Sequence, residues 1–385
     1  MPGSDERFMR QMQLPRFGAE GQTRLGRARI LLAGCGALGS VVAEQLARAG
    51  AGSLSIVDRD LVEWSNLHRQ TLFSESDARR RVPKAEAAKA RLAHVHASTV
   101  VRAFVDDIAP GSVLRYAEDC DVIIDCLDNF ETRYLLNDCA VKFGKPLVYG
   151  GAIGLRGMAA LLLPVTGADR DGLVRWPHAR STPCLRCLAP EPPAPGEAET
   201  CETAGVLAAT TGVIASLEAA LAIRAIAEGA VHVPSSIVRV DLDAMRFETA
   251  SLDAARDPGC ACCGVGKYEF LEAPITSRER VRVLCGRNAV ELALGDPLDD
   301  AAIARLTARL GSHGTLRCER HGDTRSVSVA LRPESVVGGV DAAPQDGGKG
   351  VEITLLSGAA GTLAIVSGTT DPERARATIA RFVGV

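Results

Sequence analysis

Gly34-Cys35-Gly36-Ala37-Leu38-Gly39 is the stretch that decides the fold. It has G-x-G-x-x-G spacing, with an apolar run before it at 28–34 and a helical pattern of apolar residues after it at 37–49, closed by Gly50. Glycine is needed where backbone must approach a phosphate, and the start of the following helix supplies N–H groups and positive potential. A second short strand is predicted at 53–57, and Asp58 closes it. A carboxylate there suits the ribose hydroxyls of a nucleotide. Gly34, Gly36, Gly39 and Asp58 are the first candidate nucleotide ligands.

Working outward, strands and helices alternate. Residues 5–25 are charged and read as helical, with Arg10 and Arg16 among them. Residues 84–94 are rich in Ala, Lys and Glu and read as helix; 121–128 reads as a buried strand and 132–142 as the helix after it. Such alternation predicts an α/β fold, a Rossmann-like doubly wound, mostly parallel sheet with helices on both faces. Past Pro164 the texture changes. Residues 183–196 hold a Pro-rich loop, 205–228 a helix and 237–242 a strand. After Gly264 a new unit begins, so two domains are expected, 1–269 and 270–385. In the second, strands are expected at 281–284, 326–331, 351–356 and 362–366, and helices at 299–310 and 372–383, giving a small α+β domain. A Gly-rich linker, 337–350, lies inside it.

The residues that follow Asp58 suit a triphosphate better than a hydride carrier. Asp60, the run Ser65-Asn66-Leu67-His68-Arg69-Gln70, and Pro83-Lys84-Ala85 come in turn. Hydride transfer needs no cluster of cations. A nucleoside triphosphate does, because its oxygens and the charge developing on a leaving pyrophosphate must be neutralised. Asn66, Arg69 and Lys84 can serve there. Asp128, read at the end of the strand D-V-I-I-D-C-L-D, is placed to hold magnesium, which prefers carboxylate and phosphate oxygen.

Two C-x-x-C pairs, Cys184/Cys187 and Cys260/Cys263, lie far apart in the chain. Each spacing lets two thiolates grip one ion from a tight turn, and two pairs together make the usual structural zinc site. Four thiolates leave no open position, so the expected role of this zinc is structural.

Composition narrows the class. The formal net charge is −3 over 385 residues, which argues against nucleic acid as the main partner. The chain has 12 cysteines and starts without an apolar signal core, so reduced thiols and a cytoplasmic location are expected. No run reaches the roughly 18 uninterrupted apolar residues of a membrane span. The nearest, 204–217, stops at Glu218 and reads as a buried helix.

The run Arg7-Phe8-Met9-Arg10-Gln11, then G-C-G-A-L-G, V-D-R-D-L-V-E-W-S-N-L-H-R-Q, P-K-A-E, D-C-L-D-N-F and the two C-x-x-C pairs, resembles the MoeB/ThiF/HesA family of adenylyltransferases. The resemblance covers about residues 5–264. It implies MgATP-dependent adenylation of the C-terminal glycine of a small ubiquitin-like sulfur carrier ending in Gly-Gly, activating it for thiocarboxylate formation. It implies that Asp58 holds ribose, that Asn66, Arg69 and Lys84 hold the phosphates, that Gln70 belongs to the same nucleotide set, and that Asp128 holds magnesium. Arg10 then reaches the ATP of a neighbouring subunit, which implies a homodimer. Cys201, in Thr200-Cys201-Glu202-Thr203, falls at the family's characteristic cysteine, tied to thioester or persulfide chemistry and to a possible sulfurtransferase partner. A thiol just before a helix start favours that use.

There are departures. Where the family usually has a glycine just before P-K, this chain has Arg79-Arg80-Arg81-Val82-Pro83-Lys84. Leu127 stands where threonine is common. The second domain lacks a C-x-x-G-x-R rhodanese loop; Cys285-Gly286-Arg287 is only a partial echo, and docking of the carrier or a downstream partner is the expected role. Cys35, Cys120, Cys126 and Cys139 read as small core residues. The alternative acceptors are those of a tRNA-modifying dehydratase or a peptide-modifying enzyme of the same superfamily. An NAD-dependent oxidoreductase or a non-enzymatic scaffold are the readings of other classes, and the cation set and paired cysteines speak against both.

Overall fold

The computed structural model describes residues 4–163, 182–193, 204–273, 281–284, 288–332, 350–358 and 361–383. The chain divides into two compact units, Met1–Pro274 and Ile275–Val385.

In the first unit one sheet has eight strands: β1 (Arg29–Ala33), β2 (Ser53–Val57), β3 (Val100–Phe104), β4 (Val122–Asp125), β5 (Leu147–Ile153), β6 (Arg156–Leu162), β7 (Ser236–Asp241) and β8 (Arg246–Ser251). Their order is β3-β2-β1-β4-β5-β6-β7-β8. The first five are parallel, and β5 to β8 continue as an antiparallel extension. Alternation along β1 sends Ile30 and Leu32 into one core and Leu31 and Ala33 into the other. Helices Ala37–Ala49, Lys84–Val95 and Ala208–Glu228 cover the first face, and Phe130–Lys142 with two short helices covers the second. Apolar side chains on both sides of each strand are what a parallel sheet demands. The strand order reverses between β1 and β4, which opens a crevice beyond their C-terminal ends.

Two expectations are corrected here. The segment 5–25 is two helices, Ser4–Met12 and Gly18–Leu25, because Pro15 interrupts the pattern. The strand read as 121–128 stops at Asp125, whose carboxylate accepts the Leu127 N–H at 3.1 Å and turns the chain. Asp128 therefore lies in an exposed loop beyond the strand. The helix read as 205–228 is present as Ala208–Glu228, and it buries Glu218 completely. That helix is long and apolar enough to cross a membrane by length and composition, yet here it packs on β5, β6 and helix Ala37–Ala49.

The second unit is a six-stranded antiparallel sheet, in the order β11-β12-β13-β14-β10-β9. The strands are β9 (Val281–Leu284), β10 (Ala289–Gly295), β11 (Gly314–His321), β12 (Thr324–Leu331), β13 (Glu352–Gly358) and β14 (Gly361–Ser367). Helices Asp300–Gly311 and Pro372–Phe382 share a core with it through Leu310, Val329, Ile353, Val366 and Phe382. Each helix starts on an aspartate cap, Asp299 and Asp371.

Candidate nucleotide and metal sites

The glycine turn sits at the C-terminal end of β1, in the crevice. Gly34 has φ +87°, and a Cβ there would lie 2.9 Å from the Cys126 carbonyl oxygen. A Cβ on Gly39 would lie 2.1 Å from the Gly34 carbonyl oxygen, so only glycine lets helix Ala37–Ala49 start so close to the strand. At Gly36 the space is open; the nearest atom to a Cβ would be Gln70 Nε2 at 3.8 Å. Gly36 provides no side-chain cap, so the first N–H groups of the helix face that space.

Asp58 lies at the end of β2. One of its oxygens accepts the Cys35 N–H at 2.7 Å and the other the Asp60 N–H at 2.8 Å. Burial pushes its carboxyl above the ordinary range, while the Lys84 ammonium and the two N–H groups oppose this. Lys84 Nζ is 2.8 Å from Asp60 Oδ2. The approach is set by backbone: Lys84 N–H donates to Asp60 O at 2.8 Å, and Leu61 bridges Pro83. The arginine run before Pro83 therefore leaves Lys84 against Asp60.

Asn66 and Gln70 are both buried. Asn66 Oδ1 accepts the Glu63 N–H at 3.0 Å and fixes the short helix Trp64–Asn66. Gln70 Oε1 has no hydrogen-bond partner among the described residues. Ser40 Oγ, on the helix after the glycine turn, accepts the Thr71 N–H at 3.2 Å and ties this segment to the turn. Arg69 is half-buried and donates to Ser65 O at 2.8 Å. Asp128 is exposed, next to Asn129, whose side chain caps helix Phe130–Lys142. Arg10 is exposed on helix Ser4–Met12. Cys201 and Cys285 lie outside the described residues.

Under the crevice is a buried polar group that the sequence reading does not include. Arg133 Nε is 3.9 Å from Asp125 Oδ2, and Arg133 Nη2 donates to the Leu127 carbonyl oxygen. Cys126 Sγ is 3.7 Å from Glu218 Oε1. The available signals were a glutamate in an apolar helix and the pair Gly150-Gly151. A Cβ on Gly150 would lie 2.2 Å from Glu218 Cδ.

The four cysteines of the two C-x-x-C pairs come together. Cys184 Sγ is 3.7 Å from Cys260 Sγ and 4.0 Å from Cys187 Sγ, and Cys187 Sγ is 3.4 Å from Cys263 Sγ. All four sulfurs lie within 4.8 Å of one another. Tetrahedral zinc, with Zn–S near 2.3 Å, asks for sulfur separations of about 3.8 Å, so the set fits zinc. Helix Phe130–Lys142 anchors both turns. Asn137 accepts the Leu185 N–H at 2.8 Å and donates to Cys262 Sγ at 3.4 Å; Asp138 accepts the Phe270 N–H at 2.9 Å.

The ThiF family model matches residues 8–262. The chain is 36% identical over 288 residues to the sulfur carrier protein ThiS adenylyltransferase of Bacillus subtilis (strain 168), covering 74% of this chain and 79% of that one. It is 37% identical over 259 residues to the sulfur carrier protein adenylyltransferase of Thermus thermophilus, covering 67% and 90%. Adenylyltransferase and sulfurtransferase MOCS3 of Drosophila willistoni is 40% identical over 223 residues, 58% of this chain and 45% of that protein. The chain spans about half the length of the MOCS3 relatives. The crystal structure of E. coli MccB with ATP matches with a TM-score of 0.55 and 22% identity, over 67% of this chain and 74% of that one, a likeness of fold.

Proposed function

The chain belongs to the ThiF family, and from that premise we propose which of its residues carry the adenylation of a sulfur carrier protein. It is an adenylyltransferase: the carrier's C-terminal carboxylate attacks the α-phosphorus of ATP, an acyl-adenylate forms and pyrophosphate leaves. The observation that carries the assignment is the meeting of Lys84, Asp58 and Gln70 around the glycine turn at the strand reversal.

The N–H groups after Gly36 and the side chains of Asn66, Arg69, Gln70 and Lys84 bind the triphosphate. Asp58 keeps lone pairs for the ribose hydroxyls beyond its two N–H bonds. Asp128, in its exposed loop, holds magnesium, which when bound offsets charge on the phosphates. The chain's residues orient the α-phosphorus and leave the nucleophile to the carrier. Adenylation needs no thiol, so Cys201 is assigned to a later thioester or persulfide step. Arg10 is assigned to the ATP of a second copy, in a homodimer. Cys184, Cys187, Cys260 and Cys263 hold a structural zinc. A sulfurtransferase partner is assigned to supply sulfur to the activated carrier, and the need for ATP fits a cytoplasmic reaction. The second unit lies outside the residues that match the family and has no part in this chemistry.

The test is ATP–pyrophosphate exchange by the full chain with a ubiquitin-like carrier ending in Gly-Gly, and with the same carrier lacking its last glycine. Exchange is expected with the first alone, with a mass gain of AMP on the carrier. Exchange indifferent to the carrier's end would overturn the reading.

A further inference from the structure

Glu218 lies mid-helix in Ala208–Glu228 with no exposed surface, and no step of adenylation uses it. It sits under both arms of the nucleotide site. Its Oε1 receives Cys126 Sγ at 3.7 Å. Cys126 in turn packs on the glycine turn: a Cβ on Gly34 would be 2.9 Å from its carbonyl oxygen, and one on Gly39 3.4 Å from its Cβ. The next residue, Leu127, leads to Asp128. Its N–H is held by Asp125 at 3.1 Å and its carbonyl oxygen by Arg133.

Charge explains why a glutamate there matters. Two fully buried carboxyls, Asp125 and Glu218, share one buried guanidinium, Arg133. Ionising both leaves one negative charge uncompensated in the core, a large cost. Arg133 Nε lies 3.9 Å from Asp125 Oδ2, and burial followed by the neighbouring Asp125 pushes the Glu218 carboxyl up, towards its protonated form. The groups facing Glu218 are Asp125 and Cys126 from the end of β4 and Arg133 from helix Phe130–Lys142, with Tyr149 of β5 behind the arginine; Cys35 of the glycine turn faces Cys126. Helix Ala37–Ala49 contributes Gln45, bonded to Ser216, while its Glu44 and Arg48 pair with each other. Helix Gly18–Leu25 contributes Arg24, bonded to Ala227 O near the far end. The space for Glu218 is built in, since any side chain at Gly150 would collide with it.

We propose that Glu218 is a positioning residue of the adenylation step, acting through Cys126, Asp125 and Arg133 on the two loops that hold ATP. This rests on the nucleotide reading above. As an uncharged acid it fills the floor and accepts from Cys126 without drawing Arg133 away from Asp125 and Leu127. The turn at Gly34 and the loop of Asp128 then keep their separation.

The test uses the full chain and the non-hydrolysable analogue α,β-methylene-ATP with magnesium, titrated by calorimetry. Glu218→Leu is expected to weaken binding about ten-fold, the usual size of a supporting-contact loss, without a lower melting temperature, since an apolar side chain suits the core. Glu218→Gln, neutral and of the same shape, is expected to recover near wild-type binding. Leu binding as tightly as wild type, Gln binding as weakly as Leu, or a lower melting temperature with unchanged binding would each overturn the proposal. Should Glu218→Leu not fold, Glu218→Met replaces it with the same expectations. A wild-type chain that does not bind the analogue would overturn the nucleotide reading itself, and this inference with it.

Discussion

Lys84 Nζ lies 2.8 Å from Asp60 Oδ2, with the lysine side chain almost wholly buried. A buried ammonium needs a counter-charge, and Asp60 supplies it beside the phosphate turn. In the proposed nucleotide site the same ammonium would also face phosphate oxygens. Lys84→Met keeps the length and the apolar stem but removes the charge. Its kcat in ATP–pyrophosphate exchange is expected to fall by about 10²–10³, the cost of losing one donor aimed at developing charge. Exchange at the wild-type rate would remove Lys84 from the site.

Asp128 is expected to behave differently from a core aspartate. It is exposed, in the loop beyond β4. Asp128→Ala should leave the melting temperature unchanged, as surface changes usually do. Exchange should nevertheless fall by at least about a hundred-fold, because magnesium loses its protein carboxylate. A parallel loss of stability would mean that Asp128 holds the loop together and not the ion.

The cysteine cluster gives a prediction in metal content. One zinc per chain is expected, by elemental analysis of the purified protein. Cys260→Ser removes a buried ligand and should cost stability on the order of several kcal/mol, because ion binding and closure of the two turns are one event. Zinc-free protein with the melting behaviour of the wild type would contradict the assignment.

Much of this site is written locally in the sequence, and part is not. The turn Gly34–Gly39 and Asp58 are legible because strand, turn and helix follow in one run, with the periodicity of each intact. The cysteine pairs are legible because C-x-x-C spacing is itself a geometric constraint. The pairing of Lys84 with Asp60 is not. It depends on the bridge between Leu61 and Pro83, which joins segments with no shared pattern. Glu218 reads as the end of an apolar run, since a charge ordinarily marks a surface. Its burial follows from Arg133 and Gly150, on other elements. β5 carries Gly150 and Gly151, which weaken any strand pattern in the sequence, and Gly150 is explained only by Glu218 of the helix packed against it.

Arg81 offers a test of backbone strain. It ends helix Glu75–Arg80 with φ +53° and ψ 46°, the left-handed conformation in which glycine is favoured. This is where the missing glycine of the P-K segment is felt. Arg81→Ala removes the side chain and keeps the strain, whereas Arg81→Gly removes both. The glycine variant is expected to be about 1 kcal/mol more stable than the alanine variant, a gap of about 2–4 °C in thermal melting. Equal melting temperatures would show that the turn relaxes without cost.

The buried acid predicts a pH dependence with a definite sign. Burial first, then Asp125, push the Glu218 carboxyl well above its ordinary range, with Arg133 opposing. Below the unfolded-state value both states carry the proton, and stability is at its full level. Between the unfolded and folded values the unfolded chain releases the proton and the folded chain keeps it. Stability then falls as pH rises, by up to about 1.4 kcal/mol per pH unit for one group. Asp125 is also raised by burial, but it is present in wild type and variant alike and cancels in the difference. Glu218→Gln has no proton to release in either state. Its denaturation midpoint is therefore expected to match the wild type most closely near pH 5 and to exceed it increasingly toward pH 8. A gap that stays constant across that range would mean that Glu218 is ionised in the folded protein and that Arg133 serves both carboxylates.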